Sequence, residues 1–264
     1  MDGTLKSVND VMRGSLIPID ELSSPIGLRV EGGGYIFYDD TVGFQGGTVT
    51  PDNKSCDAVA PNDLANRWSI SLTTNPYHEY AYDFARGYVV RTSLSTCNRF
   101  MVVDETDLIS VAYGSNLKWD DSSSSTYNTS QATSTDFGYG SANTTTLCSA
   151  ITDTSCIWYT VKNNRRLVIP NSPSSTSDSA TDTRWFVPSR DELCVLNFMQ
   201  YFDSSYRPTT GICSKRLQIP FRYWYWSSSQ NESSTAWSGH FLDGDMYNGY
   251  GKSDTYYARL CRTF

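Results

Sequence analysis

Hydrophobic and polar residues alternate over short distances in this chain, which is typical of strands. Residues 35–38 and 167–169 are short β-branched or aromatic runs beside turn residues, and each run predicts a strand. Residues 77–92 predict two strands around a turn at 85–87, and residues 101–103 predict another. The last segment, from residue 216 onward, is expected to be strand-rich.

The strongest helix signal begins at Ser189. Ser189 and Glu192 form an S-x-x-E capping box, in which each side chain bonds to the other residue's backbone N–H. Leu193, Leu196 and Met199 follow at a spacing that places them on one helix face. These residues predict an amphipathic helix.

Two weaker helices and two polar loops complete the pattern. Residues 144–151 have a short helical pattern, and Asp104 is expected to cap a brief helix through residue 112. Residues 120–135 and 171–183 are polar tracts for which we predict no regular structure. The pattern therefore favours an α+β fold with short antiparallel strands, one or two short helices and long polar loops.

The glycine run at residues 32–34 lacks the G-K-[ST] and helix of a phosphate loop, and we interpret it as a flexible strand entry. Residues 1–30 have weak periodicity and predict an N-terminal extension. Residues 31–264 are then one domain. Asp243 and Asp245 flank Gly244, which favours a tight turn, although a calcium ion at these aspartates stays open.

Composition narrows the classes of partner. The chain has 264 residues, 39% hydrophobic and 14% aromatic, enough for a sizeable core. The net charge is −7 and no basic cluster occurs, so a nucleic-acid partner is disfavoured. No segment has the length or apolarity of a membrane span or a signal peptide, which favours a phage virion or cytoplasmic product.

Cysteine and histidine usage indicates no catalytic site. The seven cysteines are spread singly without a C-x-x-C pair, so no zinc site is expected and free core thiols are favoured. Cys148 and Cys156 are the pair to test for a bridge. Neither His78 nor His240 lies in a nucleophile motif, and we expect no enzyme, no catalytic residue, no bound metal and no cofactor.

The C-terminal forty residues have the composition of a binding surface. Trp226, Trp237 and Phe241 alternate with Ser, Asn, Asp, Gly and Tyr. Such a mixture combines rigid aromatic contact area with adaptable hydrogen bonding, as in antibody paratopes.

Five segments, in this order, resemble bacterial domains of the Lcl-like group, which have a C-type lectin fold. Residues 33–39 resemble their GG-x-IFYD opening, and residues 137–144 resemble IGTGKANT. Residues 185–193 resemble WRLPSKDEL, and residues 225–229 resemble YWSSS. The ending AW…F…G…K…VRPVR is similar to Ala236, Trp237, Phe241, Gly244, Lys252 and residues 258–262.

Within that group, the C-terminal segment is most similar to the variable proteins of diversity-generating retroelements. In those systems adenines are mutated, so an asparagine codon can become a codon for any residue except Trp, Met, Gln, Lys or Glu. Among residues 231–257, only Glu232, Trp237, Met246 and Lys252 fall outside that set. The count is permissive, since any loop rich in Ser, Asn, Gly and Tyr would pass it.

The resemblance implies a variable ligand-binding region at about residues 225–262. Its replaceable contacts would be Ser234, Thr235, Ser238, His240, Leu242, Asp243, Asp245, Tyr247, Asn248, Tyr250, Ser253, Asp254 and Tyr256. Its scaffold would be Trp185, Trp226, Trp237, Phe241, Gly244, Lys252 and Arg259. The implied partner is a variable ligand, foremost a protein on a host or neighbouring cell surface, and an oligomer is compatible with that use.

Two alternatives stay open. One is an adhesive C-type lectin-like domain that is not diversified. The other is an oxidase of the formylglycine-generating type, because residues 185–193 distantly resemble the RLPTEAEW segment of those enzymes. Such an oxidase needs a close cysteine pair, and Cys194, Cys213 and Cys261 do not offer that spacing.

Overall fold

The computed structural model describes residues 16–19, 22, 25–39, 80–91, 100–163, 185–201, 219–242 and 244–264. The predicted strand at 167–169, the predicted loop at 171–183, His78 and Asp243 lie outside these described residues.

Short strands and three helices make up the described part of the chain. The strands are β1 (Leu16–Pro18), β2 (Tyr35–Asp39), β3 (Tyr80–Asp83), β4 (Tyr88–Arg91), β5 (Phe100–Asp107), β6 (Leu117–Lys118), β7 (Trp185–Phe186), β8 (Trp224–Gln230), β9 (Thr235–His240), β10 (Met246–Gly251), β11 (Thr255–Tyr256) and β12 (Arg259–Thr263). The helices are α1 (Gly140–Ala150), α2 (Ile157–Asn163) and α3 (Arg190–Tyr201).

The strands form small antiparallel sheets with the orders β1-β3-β4, β2-β5-β12-β7, β10-β9-β8 and β11-β6. The described sheets do not close into a barrel. The predicted α+β class is therefore confirmed, with three short helices where one or two were expected. The hairpin predicted within residues 77–92 is confirmed as β3 and β4.

The C-terminal strand β12 lies inside its sheet. Cys261 is opposite Val103 of β5 on one side and opposite Phe186 of β7 on the other. At its end, Phe100 and Phe264 exchange two backbone hydrogen bonds of 2.8 and 2.9 Å. Strands from the start, the middle and the end of the chain thus share one sheet.

The core has two parts. One part surrounds α3 and the sheet of β2 and β5, and includes Ile36, Val102 and Leu193. The other is built on tryptophans, including Trp119 and Trp226, and is packed against α1 and α2.

Three indole N–H groups of the tryptophan-centred part have backbone acceptors. Trp119 donates to the carbonyl of Ser227 at 2.9 Å, Trp158 to that of Trp119 at 2.7 Å, and Trp226 to that of Leu117 at 3.1 Å. A buried indole is stable only with its N–H satisfied, so these bonds determine how the three rings are oriented.

The predicted capping box at the start of α3 is confirmed. The Ser189 Oγ accepts a bond from the Glu192 N–H at 3.3 Å, and the Glu192 Oε2 accepts one from the Ser189 N–H at 2.7 Å. Glu192 also accepts from Gly138 at 2.9 Å and Gly140 at 3.4 Å through Oε1. The same carboxyl therefore joins the starts of α1 and α3.

The glycine run at residues 32–34 is a defined turn and not a flexible strand entry. Gly34 has a φ of 91°, and a Cβ there would lie 2.7 Å from the carbonyl oxygen of Val103. Its carbonyl accepts a bond from Val30 at 3.0 Å. The positive φ and the close approach of β5 both require glycine at this position.

The helix predicted after Asp104 is wrong. Residues 104–107 continue β5, because Asp107 pairs with Arg259 of β12. Tertiary strand pairing overrides the local capping signal here. The helix predicted from residue 144 exists, but it begins four residues earlier, at Gly140.

The predicted extension contributes to the core. Ile19, Ile26 and Val30 are buried, and β1 pairs with β3. Of the described cysteines, Cys148, Cys156 and Cys261 are free, so the tested pair Cys148 and Cys156 is not bridged. Cys194, in contrast, is disulfide-bonded, against the expectation of free core thiols.

No helix in the described part of the chain combines the length and the apolarity needed to cross a membrane.

Candidate ligand-binding surface

The sheet β8-β9-β10 has one face packed on α3, and its other face is covered around Trp226 and open around Trp224. Trp237 is on the packed face, where the Arg190 guanidinium lies 5.1 Å from its ring centre. Gly239 lies on that face too, because a Cβ there would be 3.3 Å from the Leu193 side chain. Side chains alternate along a strand, so Trp224 and the opposite His240 project to the other face.

Five aromatic side chains meet on the open face, and we call them the aromatic cluster. They are Trp224, His240, Tyr247, Tyr250 and Tyr256. Trp224 is their centre, with ring centroids at 4.3 Å to His240, 5.0 Å to Tyr247, 4.7 Å to Tyr250 and 5.5 Å to Tyr256. All five are half-buried, so each has both packing partners and solvent-exposed area.

The predicted contact positions mostly lie on or around this cluster. Leu242, Asn248 and Asp254 are exposed. The half-buried ones are Ser234, Thr235, His240, Asp245, Tyr247, Tyr250, Ser253 and Tyr256. Asp243 lies outside the described residues. The fold thus brings His240, Tyr247, Tyr250 and Tyr256, which are up to sixteen residues apart in sequence, together around Trp224.

Ser238 is the exception among the predicted contact positions. Its side chain is fully buried, and its Oγ has no hydrogen-bond partner among the described residues. Ser238 lies opposite Trp226 on β8 and opposite Tyr247 on β10. Paired residues share a face, so the aromatic cluster covers Ser238.

The predicted scaffold positions are buried, apart from Gly244 in its turn. Trp226 and Lys252 have no exposed area, and Trp185, Trp237, Phe241 and Arg259 have at most 6%. Arg259 donates to the Asp107 carboxylate through Nε at 2.8 Å and Nη2 at 2.5 Å. Both bonds end on the same Asp107 oxygen, Oδ1, and this charge-assisted pairing holds β12 to β5.

Gly244 forms the turn between β9 and β10. Its φ is 80°, its N–H donates to the His240 carbonyl at 3.0 Å, and the His240 N–H donates to the Asp245 carbonyl at 2.9 Å. These bonds confirm the predicted tight turn. Within the described residues, no group of three or more His, Cys, Asp or Glu side chains is arranged to hold a metal ion.

The polar tract at 120–135 has a defined structure that the sequence did not predict. Gln230 accepts a bond from the Gln131 N–H at 2.7 Å, and its own N–H donates to the Thr133 Oγ1 at 3.0 Å. The tract is therefore docked along the end of β8. Its composition alone gave no sign of this docking, because all the partners are distant in sequence.

Lys252 attaches the same tract to the candidate surface. Its Nζ donates to the carbonyls of Tyr127 at 3.1 Å and Thr129 at 3.2 Å, and it lies 4.9 Å from the Trp119 ring centre. Burial lowers the pKa of Lys252 to about 8, and the negative charge of Asp120 partly opposes that shift. Lys252 is thus fully buried and has a structural role.

Carboxylates flank the aromatic cluster at two ends. The Tyr247 hydroxyl donates to the Asp245 Oδ2 at 3.3 Å. Asp254 lies near Tyr256, whose pKa is raised mainly by burial and further by the charge of Asp254. The surface therefore combines aromatic rings with negative charge.

Trp224 is the residue that the predicted site omitted. Trp224 and Trp226 lie on the same face of β8, and periodicity does not show which end of that face is covered by other elements. Trp226 has no exposed area, whereas Trp224 is half-buried and Tyr223 is 57% exposed. The distinction depends on β6 and α1, which cover only the Trp226 end.

A scan against protein-family models and a search of curated proteins found no match for this chain. What the surface can bind has therefore to be inferred from its own geometry and chemistry.

Proposed function

We propose that this chain is a non-enzymatic ligand-binding protein with a C-type lectin fold, and that a retroelement diversifies its open β8-β9-β10 face. The observation that carries the proposal is a spatial separation. The described replaceable positions are exposed or half-buried, apart from Ser238, whereas the predicted scaffold side chains, apart from Gly244 in its turn, are buried. A surface of this kind can change its side chains without loss of its fold.

The chemistry of the face supports binding. Half-buried tyrosines supply large contact area at low entropic cost, and the sheet holds them in place before a ligand arrives. The buried Arg259 and Lys252 bonds tie the strands and the polar tract around that sheet. The surface is therefore preorganised.

The sheet β2-β5-β12-β7 supports the resemblance to C-type lectin domains. Three of the five segments that carry the resemblance, residues 33–39, 185–193 and 258–262, contribute strands to this one sheet. In this sheet the early strand β2 and the last strand β12 both pair with β5, so segments from the two ends of the resemblance lie on either side of β5.

The two alternatives lead to different measurements. An oxidase of the formylglycine-generating type needs a close cysteine pair. Cys194 is disulfide-bonded but buried, and Cys261 is free and fully buried, with a thiol pKa that burial raises well above the ordinary value. Copper bound stoichiometrically by the purified protein would favour that enzyme. A non-diversified adhesin would share the fold but lack the genetic signature described next.

The decisive test of diversification is the DNA around the gene. We expect a near-copy of the segment that encodes residues 231–257, differing at adenine positions, with a reverse transcriptase gene nearby. Sequencing of a population should show changes at the contact positions and constancy at Trp226 and Arg259. A locus without such a repeat would exclude diversification and leave a ligand-binding domain of constant sequence.

A further inference from the structure

The aromatic cluster has a feature that its replaceable positions alone do not explain. Its central ring, Trp224, lies outside the segment 231–257 that the diversification hypothesis covers, and yet it contacts four rings inside that segment. The surface thus has one constant aromatic group at the centre of changing neighbours. A constant group can confer a preference that all variants share.

Charge around the cluster narrows that preference. Asp245 lies at the Tyr247 side and the exposed Asp254 lies near Tyr256. Aromatic faces and carboxylates both attract cations. The whole chain carries a net charge of −7, which adds a long-range attraction for a positive partner.

Two cations near the cluster in the described part of the chain, Lys252 and Arg222, have other partners. The Lys252 ammonium group donates to the carbonyls of Tyr127 and Thr129. The guanidinium group of Arg222 lies 5.9 Å from the centre of the Tyr257 ring. The rings that these two cations approach, Trp119 and Tyr257, are not part of the aromatic cluster.

We infer that the aromatic cluster binds an arginine side chain presented by a protein partner, with Trp224 as the constant anchor. Arginine fits better than lysine, because its planar guanidinium stacks on aromatic rings and also pairs with a carboxylate. The inference rests on the proposed function as a binding protein and adds the chemical class of the partner. The replaceable residues around Trp224 then select which arginine-bearing surface is bound.

The test uses the full chain and two short peptides, acetyl-Gly-Arg-Gly-Arg-Gly-amide and its citrulline counterpart. Citrulline keeps the shape of arginine and removes its charge. Titration calorimetry should show the arginine peptide binding roughly tenfold more tightly than the citrulline peptide. The preference should shrink as salt is raised, because exposed charges are screened.

Variants locate the binding to the cluster. Trp224→Ala should lower the affinity for the arginine peptide by roughly tenfold. Asp254→Asn, which changes only an exposed charge, should lower it by a few-fold. Tyr159→Ala and Asp136→Asn remove an exposed ring and an exposed charge from other elements, and they should leave binding unchanged. Asp254→Asn decides the matter if Trp224→Ala does not fold.

Equal binding of the two peptides, or no binding of either, would overturn the inference. So would a folded Trp224→Ala protein with the affinity of the parent chain. These results are independent of the genetic test. A diversified locus with no arginine preference removes only this inference, and an arginine preference without a repeat removes only diversification.

Discussion

Glu192 shows how much one side chain can hold together. The residue has no exposed area, and its carboxyl accepts bonds from the backbones of Ser189, Gly138 and Gly140. Burial raises its pKa to about 7, against the bonds that favour the charged form. Its protonation therefore affects two helix starts at once.

We predict that stability falls as pH rises from 4.5 to about 7. The folded protein holds the Glu192 proton up to about pH 7, whereas the unfolded chain releases it near 4.5. The contribution of Glu192 to the free energy of unfolding is thus fully present below pH 4.5. It is lost as the pH rises to about 7, the pKa in the folded protein, and the loss is at most about 3 kcal/mol. Urea unfolding across this range measures the change.

Glu192→Gln is the control for that pH dependence, because glutamine does not titrate. Its stability should be lower overall and flatter with pH, while every other titratable residue is the same in both proteins. Parallel pH profiles for the parent and the variant would show that Glu192 is not the source.

At the scale of elements, local sequence signals determine the start of α3, whereas tertiary contacts determine the start of α1. The capping box gave the start of α3 correctly, since both of its bonds join residues three apart in sequence. The start of α1 was missed, because the loop before it is held by Glu192, more than fifty residues away. Short-range signals locate elements whose ends are stabilised locally.

We expect Ser189→Ala to destabilise the protein by about 1 kcal/mol, because the first turn of α3 loses its cap. Ser149→Ala is the matched control. Ser149 is exposed near the end of α1, where its Oγ donates back to the Thr145 carbonyl at 3.0 Å. Its loss should cost less than about 0.5 kcal/mol by chemical denaturation. Equal costs for the two serines would contradict the capping role.

At the scale of the whole molecule, a buried frame carries an open, aromatic face. Trp226 and Tyr247 lie opposite the same residue, Ser238, on adjacent strands. One is fully buried under β6 and α1, and the other is half-buried beside solvent. Position in the molecule, and not residue type, separates their roles.

Trp226→Ala should therefore cost about 3–5 kcal/mol, since it leaves a cavity and frees the Leu117 carbonyl. Tyr247→Ser should cost no more than about 1 kcal/mol, because its ring is at the surface. Thermal and urea unfolding of both variants give the comparison. A Tyr247→Ser protein as unstable as Trp226→Ala would mean that the open face is part of the core.

The sequence by itself determined the class of fold, the β3–β4 hairpin, the cap of α3 and the Gly244 turn. Each depends on residues a few positions apart, where periodicity, turn chemistry and capping are decisive. The prediction of a helix at Asp104 was wrong because β5 continues to Asp107, which pairs with Arg259 of β12. These two residues are 152 positions apart in sequence.

Only the tertiary structure decided which side chains the sheet β8-β9-β10 exposes. Alternation puts Trp224, Trp226 and Ser238 on one face, but it does not say that α1 and β6 cover one end and leave the other open. The docking of the tract 120–135 through Gln131 and Gln230 is equally invisible to local patterns. Coverage of a face depends on residues far apart in sequence, and so the aromatic cluster around Trp224 emerges only when the chain is folded.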